Sequence, residues 1–282
     1  MTDRSEGQRP EPGEIERFLA EDLGDGDLTA SIVPAGALAT AVVVTREAMV
    51  LCGQEWFAAV FQHLDPEVVI HWRVEEGGEC GPGTELCSLR GKARALLTGE
   101  RTGLNLLQTL SGTASTARAY ARAVAGTGAT VLDTRKTLPG LRKAQKYAVR
   151  CGGCRNHRMG LYDGILIKEN HILAAGSIAR ALAAAKALGA EVPIEVEVES
   201  LEELGEALAA GAERILLDNF TLAELRQAVA VARGRAELEV SGNVTLDTLR
   251  QVAETGVDYI SVGALTKHLR AVDLSMRIVI GP

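Results

Sequence analysis

The sequence predicts a two-part α/β protein whose halves differ in architecture. In the first half, short β-rich runs are separated by turns such as Gly77-Gly78 and Gly81-Pro82-Gly83, and one helical stretch interrupts them. This pattern is typical of an α+β unit with an antiparallel sheet. In the second half, apolar runs alternate with Ala/Leu-rich helical stretches about every 20–30 residues, which predicts a parallel sheet. That spacing suits either a barrel or an open doubly wound sheet.

The first half is predicted to open with a flexible leader, residues 1–14, which is polar and rich in Gly and Pro. Ile15, Phe18 and Leu19 then follow helical spacing and predict a helix over 15–22. The remaining predicted elements of this half are strands at 41–45, 49–51, 68–72 and 85–89 and a helix at 54–63.

The second half begins with one long helical pattern over 100–124. The predicted strands after it are 129–132, 164–167, 193–198, 214–217, 237–240 and 259–262. The predicted helices between them are 177–188, 201–210, 222–232 and 246–255. A last apolar run, 274–280, has no helix of its own and is expected to return to the first domain. We therefore predict an N-terminal domain of residues 15–112 joined by 271–282, and a second domain of residues 113–270.

Composition excludes several classes of protein. The 282 residues carry 30 Lys+Arg against 37 Asp+Glu, a net charge of −7, which argues against a basic nucleic-acid-binding surface. No apolar run approaches the roughly 20 residues of a membrane span, and the N-terminus lacks the apolar stretch of a signal peptide. Five cysteines, an odd number, argue against a disulfide framework. We expect a cytoplasmic protein that binds neither nucleic acid nor membrane.

Charges are segregated along the second half. Residues 134–162 contain eight Lys or Arg and no acid, whereas 191–213 contain eight Glu and no Lys or Arg. This arrangement predicts a site whose cationic side binds carboxylate, phosphate or pyrophosphate, with carboxylates opposite it for Mg²⁺ or sugar hydroxyls. Lys143 and Lys146, at helical spacing, are interpreted as a solvated helix face.

Polar residues follow the predicted parallel strands, where ligands gather in such folds. These strand ends are 133–136, 168–171, 197–199, 218–219, 241–243 and 263–264. The strand at 194–199 is unusual because Glu alternates with Ile and Val. It is either an exposed edge strand or a strand with one face toward a polar barrel interior. In the second case, each buried carboxylate needs Lys, Arg or a metal as its partner.

Two other motifs admit competing interpretations. Cys151 and Cys154 have CxxC spacing, but a zinc site needs two more ligands, and the other cysteines lie in a different predicted domain. A glycine-rich turn beside a ligand is the preferred interpretation. Lys168 closes a predicted strand and could form a Schiff base in an aldolase. The density of Arg around it argues against that role, because a carbonyl substrate needs few cations.

Several long motifs together resemble the quinolinate phosphoribosyltransferase family. They occur in order over almost the whole chain and are therefore specific. The motifs are Glu21-Asp-Leu-Gly-Asp-Gly-Asp-Leu-Thr, Gly99-Glu-Arg-Thr-Gly-Leu-Asn-Leu-Leu-Gln, Asp133-Thr-Arg-Lys-Thr-Leu-Pro-Gly-Leu-Arg, Gln145-Lys-Tyr-Ala-Val, Cys151-Gly-Gly, Asn156-His-Arg, Leu166-Ile-Lys-Glu-Asn-His, Glu195-Val-Glu-Val, Leu216-Leu-Asp-Asn-Phe, Glu239-Val-Ser-Gly-Asn and Ser261-Val-Gly-Ala-Leu-Thr-Lys.

The resemblance implies an N-terminal α/β sandwich domain with an antiparallel sheet and a C-terminal open α/β barrel. It also implies a homodimer in which one subunit's N-terminal domain covers the other's barrel mouth. The implied reaction joins quinolinate to phosphoribosyl pyrophosphate (PRPP), requires Mg²⁺, and gives nicotinate mononucleotide, pyrophosphate and CO₂ in de novo NAD synthesis.

The resemblance also implies a set of site residues. The quinolinate pocket would contain Arg135, His157, Arg158 and Lys168, with Arg101 from the neighbouring subunit. The PRPP site would contain Lys136, Glu197, Asp218, Ser241, Gly242, Gly263 and Lys267, with Glu197 and Asp218 at Mg²⁺. The chain departs from the family at Cys154, where the family usually has Gly, and this puts any role for Cys154 in doubt.

Two alternatives to this function stay open on the sequence. One is a paralogue of the same fold with another pyridine or carboxylate acceptor, such as the molybdenum-operon relative. The other is a non-enzymatic module that senses PRPP or another anion, which would bind without turnover.

Overall fold

The computed structural model describes residues 9–280 and divides them into two compact units. The first unit holds the N-terminal part of the chain up to Arg118, the segment Lys143–Gly153, and the C-terminal part from Leu269. The second unit holds Ala119–Arg142 and Cys154–His268. Residues 1–8 of the predicted leader lie outside the described residues.

The first unit is built on a four-stranded antiparallel sheet. Among the described residues, the first unit contains six strands: β1 (Leu38–Thr45), β2 (Met49–Val50), β3 (Val69–Trp72), β4 (Glu79–Cys80), β5 (Glu85–Lys92) and β12 (Leu274–Ile280). Its helices begin with α1 (Glu14–Leu23), a 3-10 turn (Ala30–Ile32) and α2 (Gln54–Leu64). The sheet order is β12-β1-β5-β3, and β2 pairs with β4 separately. The C-terminal strand β12 thus completes the edge of the first unit's sheet.

The core of the first unit lies against one face of this sheet. Alternating side chains of β1, including Ala41 and Val43, are buried there with the α2 residues Phe57 and Phe61. The long helix α3 (Ala93–Ala123) begins two turns before the predicted start. A Cβ at Gly99 would lie 2.8 Å from the Phe61 ring, so glycine at this position lets α3 approach α2 closely.

The second unit contains six parallel strands in the order β6-β11-β10-β9-β8-β7. They are β6 (Thr130–Leu132), β7 (Ile165–Ile167), β8 (Ile194–Val198), β9 (Arg214–Asp218), β10 (Glu237–Ser241) and β11 (Tyr259–Ser261). The helices after α3 are α4 (Arg142–Gly152), α5 (Glu169–Ala175), α6 (Ile178–Ala187), α7 (Leu201–Ala209), α8 (Leu222–Ala232), α9 (Leu246–Ala253) and α10 (Ala264–Lys267). Within residues 9–280, β6 and β7 are not paired with each other. The parallel sheet is therefore an open α/β barrel, and the predicted fold class is confirmed.

Helix α4 is the main departure from the sequence prediction. Gly152 at its end packs closely on Ala114 and Ala117 of α3, and Arg118 donates to the Gly152 carbonyl oxygen across 2.9 Å. This packing explains why 143–153 group with the first unit, although the predicted domain bounds place them in the second. Lys146 is fully buried, so the interpretation of its side chain as part of a solvated face was wrong.

No helix in residues 9–280 combines the length and the apolar character that crossing a membrane requires.

Candidate active site

The six strands of the second unit end at one edge of the barrel and carry most of the predicted site residues. Lys168 follows β7, Glu197 lies near the end of β8, and Asp218 closes β9. Ser241 closes β10 and is the register partner of Asp218. Because the strands are parallel, these side chains share the carboxyl-end edge at which ligands bind in such folds.

Lys168 and Glu197 form an ion pair at this edge, with 2.5 Å between Nζ and Oε2. The Glu197 carboxylate is buried, whereas the Lys168 side chain is 44% exposed. Burial raises the pKa of Glu197 against the opposing effect of Lys168, and the nearby charge of Asp218 raises it further. Because Glu197 engages the Lys168 amine, this geometry does not favour an aldolase.

Two guanidinium groups lie close together in the same unit. Burial lowers the pKa of Arg158, and the like charge of Arg135 lowers it further. Arg158 donates to the Gly164 carbonyl oxygen across 2.9 Å. The Nε of Arg135 is buried without a hydrogen-bond partner among the described residues. Paired cations with an unsatisfied donor are the arrangement that a dianionic ligand would relieve.

Asp133 fixes the segment that carries His157 and Arg158. Its fully buried carboxylate accepts from Asn156 Nδ2 across 2.5 Å and from the backbone N–H of His157 across 2.9 Å. The short parallel bridge between Leu132 and Arg155 holds the same segment against β6. The sequence predicts no role for Asp133 beyond its place at a strand end and in a family motif, whereas in the structure its carboxylate anchors this loop.

The ring of His157 has protein partners on both nitrogens. Nδ1 accepts from the backbone N–H of Arg158 across 2.8 Å, so Nε2 carries the hydrogen and donates to Glu195 Oε2 across 2.9 Å. His157 is therefore oriented by the protein on both sides.

Glu195 belongs to a buried charge cluster inside the barrel with Glu239 and Arg214. Arg214 donates from Nε to Glu195 across 3.1 Å and from Nη2 to Glu239, and its guanidinium stacks 4.2 Å from the Tyr259 ring centroid. Burial would raise the pKa of Glu195, but the hydrogen bond from His157 and the charge of Arg214 outweigh it. Burial and the charge of Glu195 raise the pKa of Glu239 to about 7.

This cluster decides between the two interpretations of strand β8. Glu195 and Glu197 are buried, so the edge-strand interpretation was wrong for them, although Glu199 is exposed. The cation paired with Glu195 is Arg214, which lies outside the basic stretch 134–162. Arg214 is the register partner of Glu195 on β9, so this ion pair depends on the alignment of two strands.

The predicted phosphate residues lie around the ends of β10 and β11. Gly242 has φ +93°, and a Cβ there would collide with the Asn219 side chain. The Lys136 side chain passes over Gly263, where a Cβ would lie 3.0 Å from its Cδ. Thr266 donates to the Lys136 carbonyl oxygen across 2.8 Å. The structure thus brings Lys136 and Gly263 together, while Lys267 is exposed on α10.

Arg101 lies in the first unit, on an exposed position of α3. Its predicted role concerns a neighbouring subunit, so within one chain it stays a prediction.

Two clusters in residues 9–280 bring three possible metal ligands within 4.8 Å of one another: Cys52, Glu76 and Cys151, and His157, Glu195 and Glu239. In the second cluster, Arg214 already supplies a cation to both carboxylates. Glu197 and Asp218 belong to neither cluster, so any metal they hold must take further ligands from substrate or water.

Comparisons with known proteins identify the family of both domains. The family models for the N- and C-terminal domains of quinolinate phosphoribosyl transferase match residues 27–111 and 113–277. The nicotinate-nucleotide pyrophosphorylase (carboxylating) of Mycobacterium leprae is 46% identical over 270 residues, covering 93% of this chain and 95% of its own. The probable enzyme of the same name from Bacillus subtilis is 41% identical, covering 94% and 92%.

Solved structures agree over the same length. The nicotinate-nucleotide pyrophosphorylase of Francisella tularensis superposes with a TM-score of 0.93 at 44% identity, covering 99% of this chain and 100% of its own. That of Ehrlichia chaffeensis gives 0.91 at 36% identity, covering 96% and 99%. With both domain families matched in order along one chain, the protein belongs to the quinolinate phosphoribosyltransferase family.

Proposed function

We propose that this protein transfers the phosphoribosyl group of PRPP to quinolinate with decarboxylation. The products are nicotinate mononucleotide, pyrophosphate and CO₂, and the reaction is a step of de novo NAD biosynthesis. In a chain of this family, one observation carries the proposal: the guanidinium groups of Arg135 and Arg158 are neighbours. The buried Nε of Arg135 has no hydrogen-bond partner among the described residues and can donate to a bound anion.

Quinolinate is a dianion, and the cations at the barrel edge complement it. Arg135 and Arg158 would each bind a carboxylate through the planar fork of the guanidinium group. Lys168 would add a third positive charge while Glu197 holds its ammonium in place. His157 has protein partners on both ring nitrogens, so it would line the pocket and orient Arg158 through the backbone contact.

PRPP would bind across the ends of the next strands. Lys136 would face its phosphates, and Ser241, Gly242, Gly263 and Lys267 would surround the 5′-phosphate. Glu197 and Asp218 would accept hydrogen bonds from the ribose hydroxyls. Gly242 has φ +93°, and a glycine turn in this conformation can present backbone N–H groups to a phosphate.

The carboxylates Glu197 and Asp218 fit a magnesium site. Both offer hard oxygen ligands, and Mg²⁺ is commonly held by one or two carboxylates together with substrate phosphates. Bound Mg²⁺ would supply positive charge to the departing pyrophosphate.

The chemistry needs no protein nucleophile. The pyridine nitrogen of quinolinate attacks C1 of the ribose as the bond from C1 to pyrophosphate breaks. Glu197 and Asp218 would stabilise the positive charge that develops on the ribose, and Lys136 would stabilise the leaving group. The bond from C2 of the new pyridinium to its carboxylate then breaks and CO₂ departs. The electron pair stays on C2 beside the positively charged nitrogen, and a proton from water adds at C2 to give nicotinate mononucleotide. The protein would bind and orient the two substrates and screen the charges that develop during the reaction.

The assembly we propose is a homodimer in which Arg101 of each subunit completes the partner's quinolinate pocket. Arg101 is exposed on α3, as such a role requires. We also propose that the enzyme acts in the cytoplasm, because a reducing compartment keeps its five free cysteines as thiols.

The decisive assay measures CO₂ release from carboxyl-labelled quinolinate with PRPP and Mg²⁺. We expect release that depends on all three components, and nicotinate mononucleotide as the second product. Nicotinate, which lacks the 2-carboxylate, is the matched control acceptor and should give no product. Binding of both substrates without turnover would support the sensing module instead, and turnover of a different pyridine carboxylate would support the paralogue.

A further inference from the structure

The structure brings together two cysteines that the sequence does not connect. Cys52 lies between β2 and α2, and Cys151 lies near the end of α4, both in the first unit. Their sulfur atoms and a carboxylate oxygen of Glu76 lie within 4.8 Å of one another. Cys154, the partner suggested by CxxC spacing, belongs to the second unit.

The two thiols have unequal surroundings. Cys52 is fully buried, and its backbone is held by Ser111, whose hydroxyl accepts from the Cys52 N–H across 3.0 Å and donates to its carbonyl across 3.1 Å. Cys151 is only partly buried. Tyr147, one turn earlier on α4, hydrogen-bonds to the Cys151 sulfur. Cys151 is therefore the less buried of the two thiols and the more accessible to a small oxidant.

The pKa shifts of the two thiols also favour Cys151 as the reactive one. The hydrogen bond from Cys52 lowers the pKa of Cys151 despite burial, with help from Tyr147 and the charge of Arg150. Burial raises the pKa of Cys52 well above its ordinary value. Cys151 is therefore the better nucleophile, since the thiolate is the reactive form, and Cys52 keeps its proton.

Metal binding by the same cluster is less consistent with the contacts. Glu76 accepts from the backbone N–H groups of Gly53 across 2.7 Å and of Gln54 across 3.2 Å, one bond to each carboxylate oxygen. These bonds satisfy the first turn of α2. With Glu76 so engaged, two sulfur ligands are left, and structural zinc needs four ligands.

We propose that Cys151 and Cys52 form a peroxide-responsive thiol pair, in which Cys151 is oxidised first and Cys52 resolves it to a disulfide. The Cys151 thiolate attacks one oxygen of hydrogen peroxide, the O–O bond breaks, and the released hydroxide is protonated to water. The Cys52 sulfur then attacks the sulfenic acid, the S–O bond breaks, and hydroxide leaves with the Cys52 proton as a second water. Two electrons pass from the two thiols to one peroxide.

The test is made on the full-length protein with stoichiometric hydrogen peroxide, followed by alkylation, proteolysis and mass spectrometry. We expect one disulfide, between Cys52 and Cys151. Cys151 should also react with a limiting alkylating reagent about tenfold faster than Cys80, a partly buried cysteine of the same unit whose pKa is raised by burial.

Two variants separate the steps. In Cys52→Ala, the reaction should stop at a sulfenic acid on Cys151 that a cyclic diketone traps. In Cys80→Ser, the matched control, the disulfide should form as in the parent chain. The disulfide is measured in the parent protein, so the proposal can still be tested if a variant folds poorly. A Cys151–Cys154 disulfide, equal reactivity of Cys151 and Cys80, or stoichiometric Zn²⁺ that protects both thiols would each overturn the proposal.

Discussion

The Nε2 hydrogen of His157 is donated to Glu195 Oε2 across 2.9 Å, which joins the ligand-facing edge of the barrel to the charge cluster in its interior. The same cluster contains Arg214, which bridges Glu195 and Glu239. With Glu239 protonated, Glu195 and Arg214 balance each other and the cluster is neutral. With Glu239 ionised, the cluster carries a net buried negative charge, which is unfavourable.

The first prediction concerns the pH dependence of stability. The pKa of Glu239 is about 7 in the folded protein, against an ordinary value of 4.5. Between these two values the folded state binds more protons than the unfolded state, so the free energy of unfolding falls as pH rises. From pH 5 to pH 8 we expect the free energy of unfolding of the parent protein to fall by about 2.5 kcal/mol relative to that of Glu239→Gln, which mimics the protonated carboxyl. Urea denaturation of both proteins at several pH values measures this difference.

The range from pH 5 upward avoids the contribution of Glu195. Its pKa lies below the ordinary value, so the stability it provides is lost only as pH falls below that range. Parallel stability curves for the parent protein and Glu239→Gln would contradict the assignment of the proton to Glu239.

The second prediction concerns quinolinate recognition. Arg135→Ala removes one of two neighbouring guanidinium groups and should weaken quinolinate binding by about 2 kcal/mol or more, or at least about thirtyfold in Kd. PRPP binding should stay measurable, because most of its proposed contacts, among them Asp218, Ser241 and Gly263, follow other strands. Calorimetry with each substrate measures both values. Arg226→Ala, at an exposed position on α8, is the control and should change neither. An equal loss of both affinities would argue against the role of Arg135.

The third prediction concerns the proposed dimer. Arg101→Ala and Lys168→Ala each remove one residue of a pocket that two subunits would share. Mixing the two inactive variants under exchanging conditions should give half mixed dimers, each with one intact site, and restore roughly a quarter of the parent activity. Activity is followed as CO₂ release against subunit ratio. If sedimentation shows that subunits have exchanged and activity is still absent, Arg101 does not act across the interface.

The sequence could predict the parts of this structure that depend on local pattern. Alternation along 194–199 placed Glu195 and Glu197 on one face, and burial of both follows from a parallel strand covered on its two sides. The register between neighbouring strands cannot be read from the sequence alone, so the sequence did not predict Arg214 as the partner of Glu195. The association of α4 with α3 was not readable either. It depends on close packing at Gly152, and it buries Lys146 and brings Cys151 to Cys52.

The last prediction compares two glycines. Gly242 has φ +93° and no room for a side chain, so Gly242→Ala should destabilise the protein by about 1–3 kcal/mol through backbone strain and collision with Asn219. Gly205, inside helix α7, has open space around its Cα, so Gly205→Ala should stabilise by about 0.5–1 kcal/mol. Thermal and urea denaturation measure the two shifts. PRPP affinity should fall in Gly242→Ala and stay unchanged in Gly205→Ala, because only Gly242 lies at the proposed phosphate site. If Gly242→Ala lost stability and kept full PRPP affinity, the glycine would serve the turn alone, and the 5′-phosphate would have to bind elsewhere.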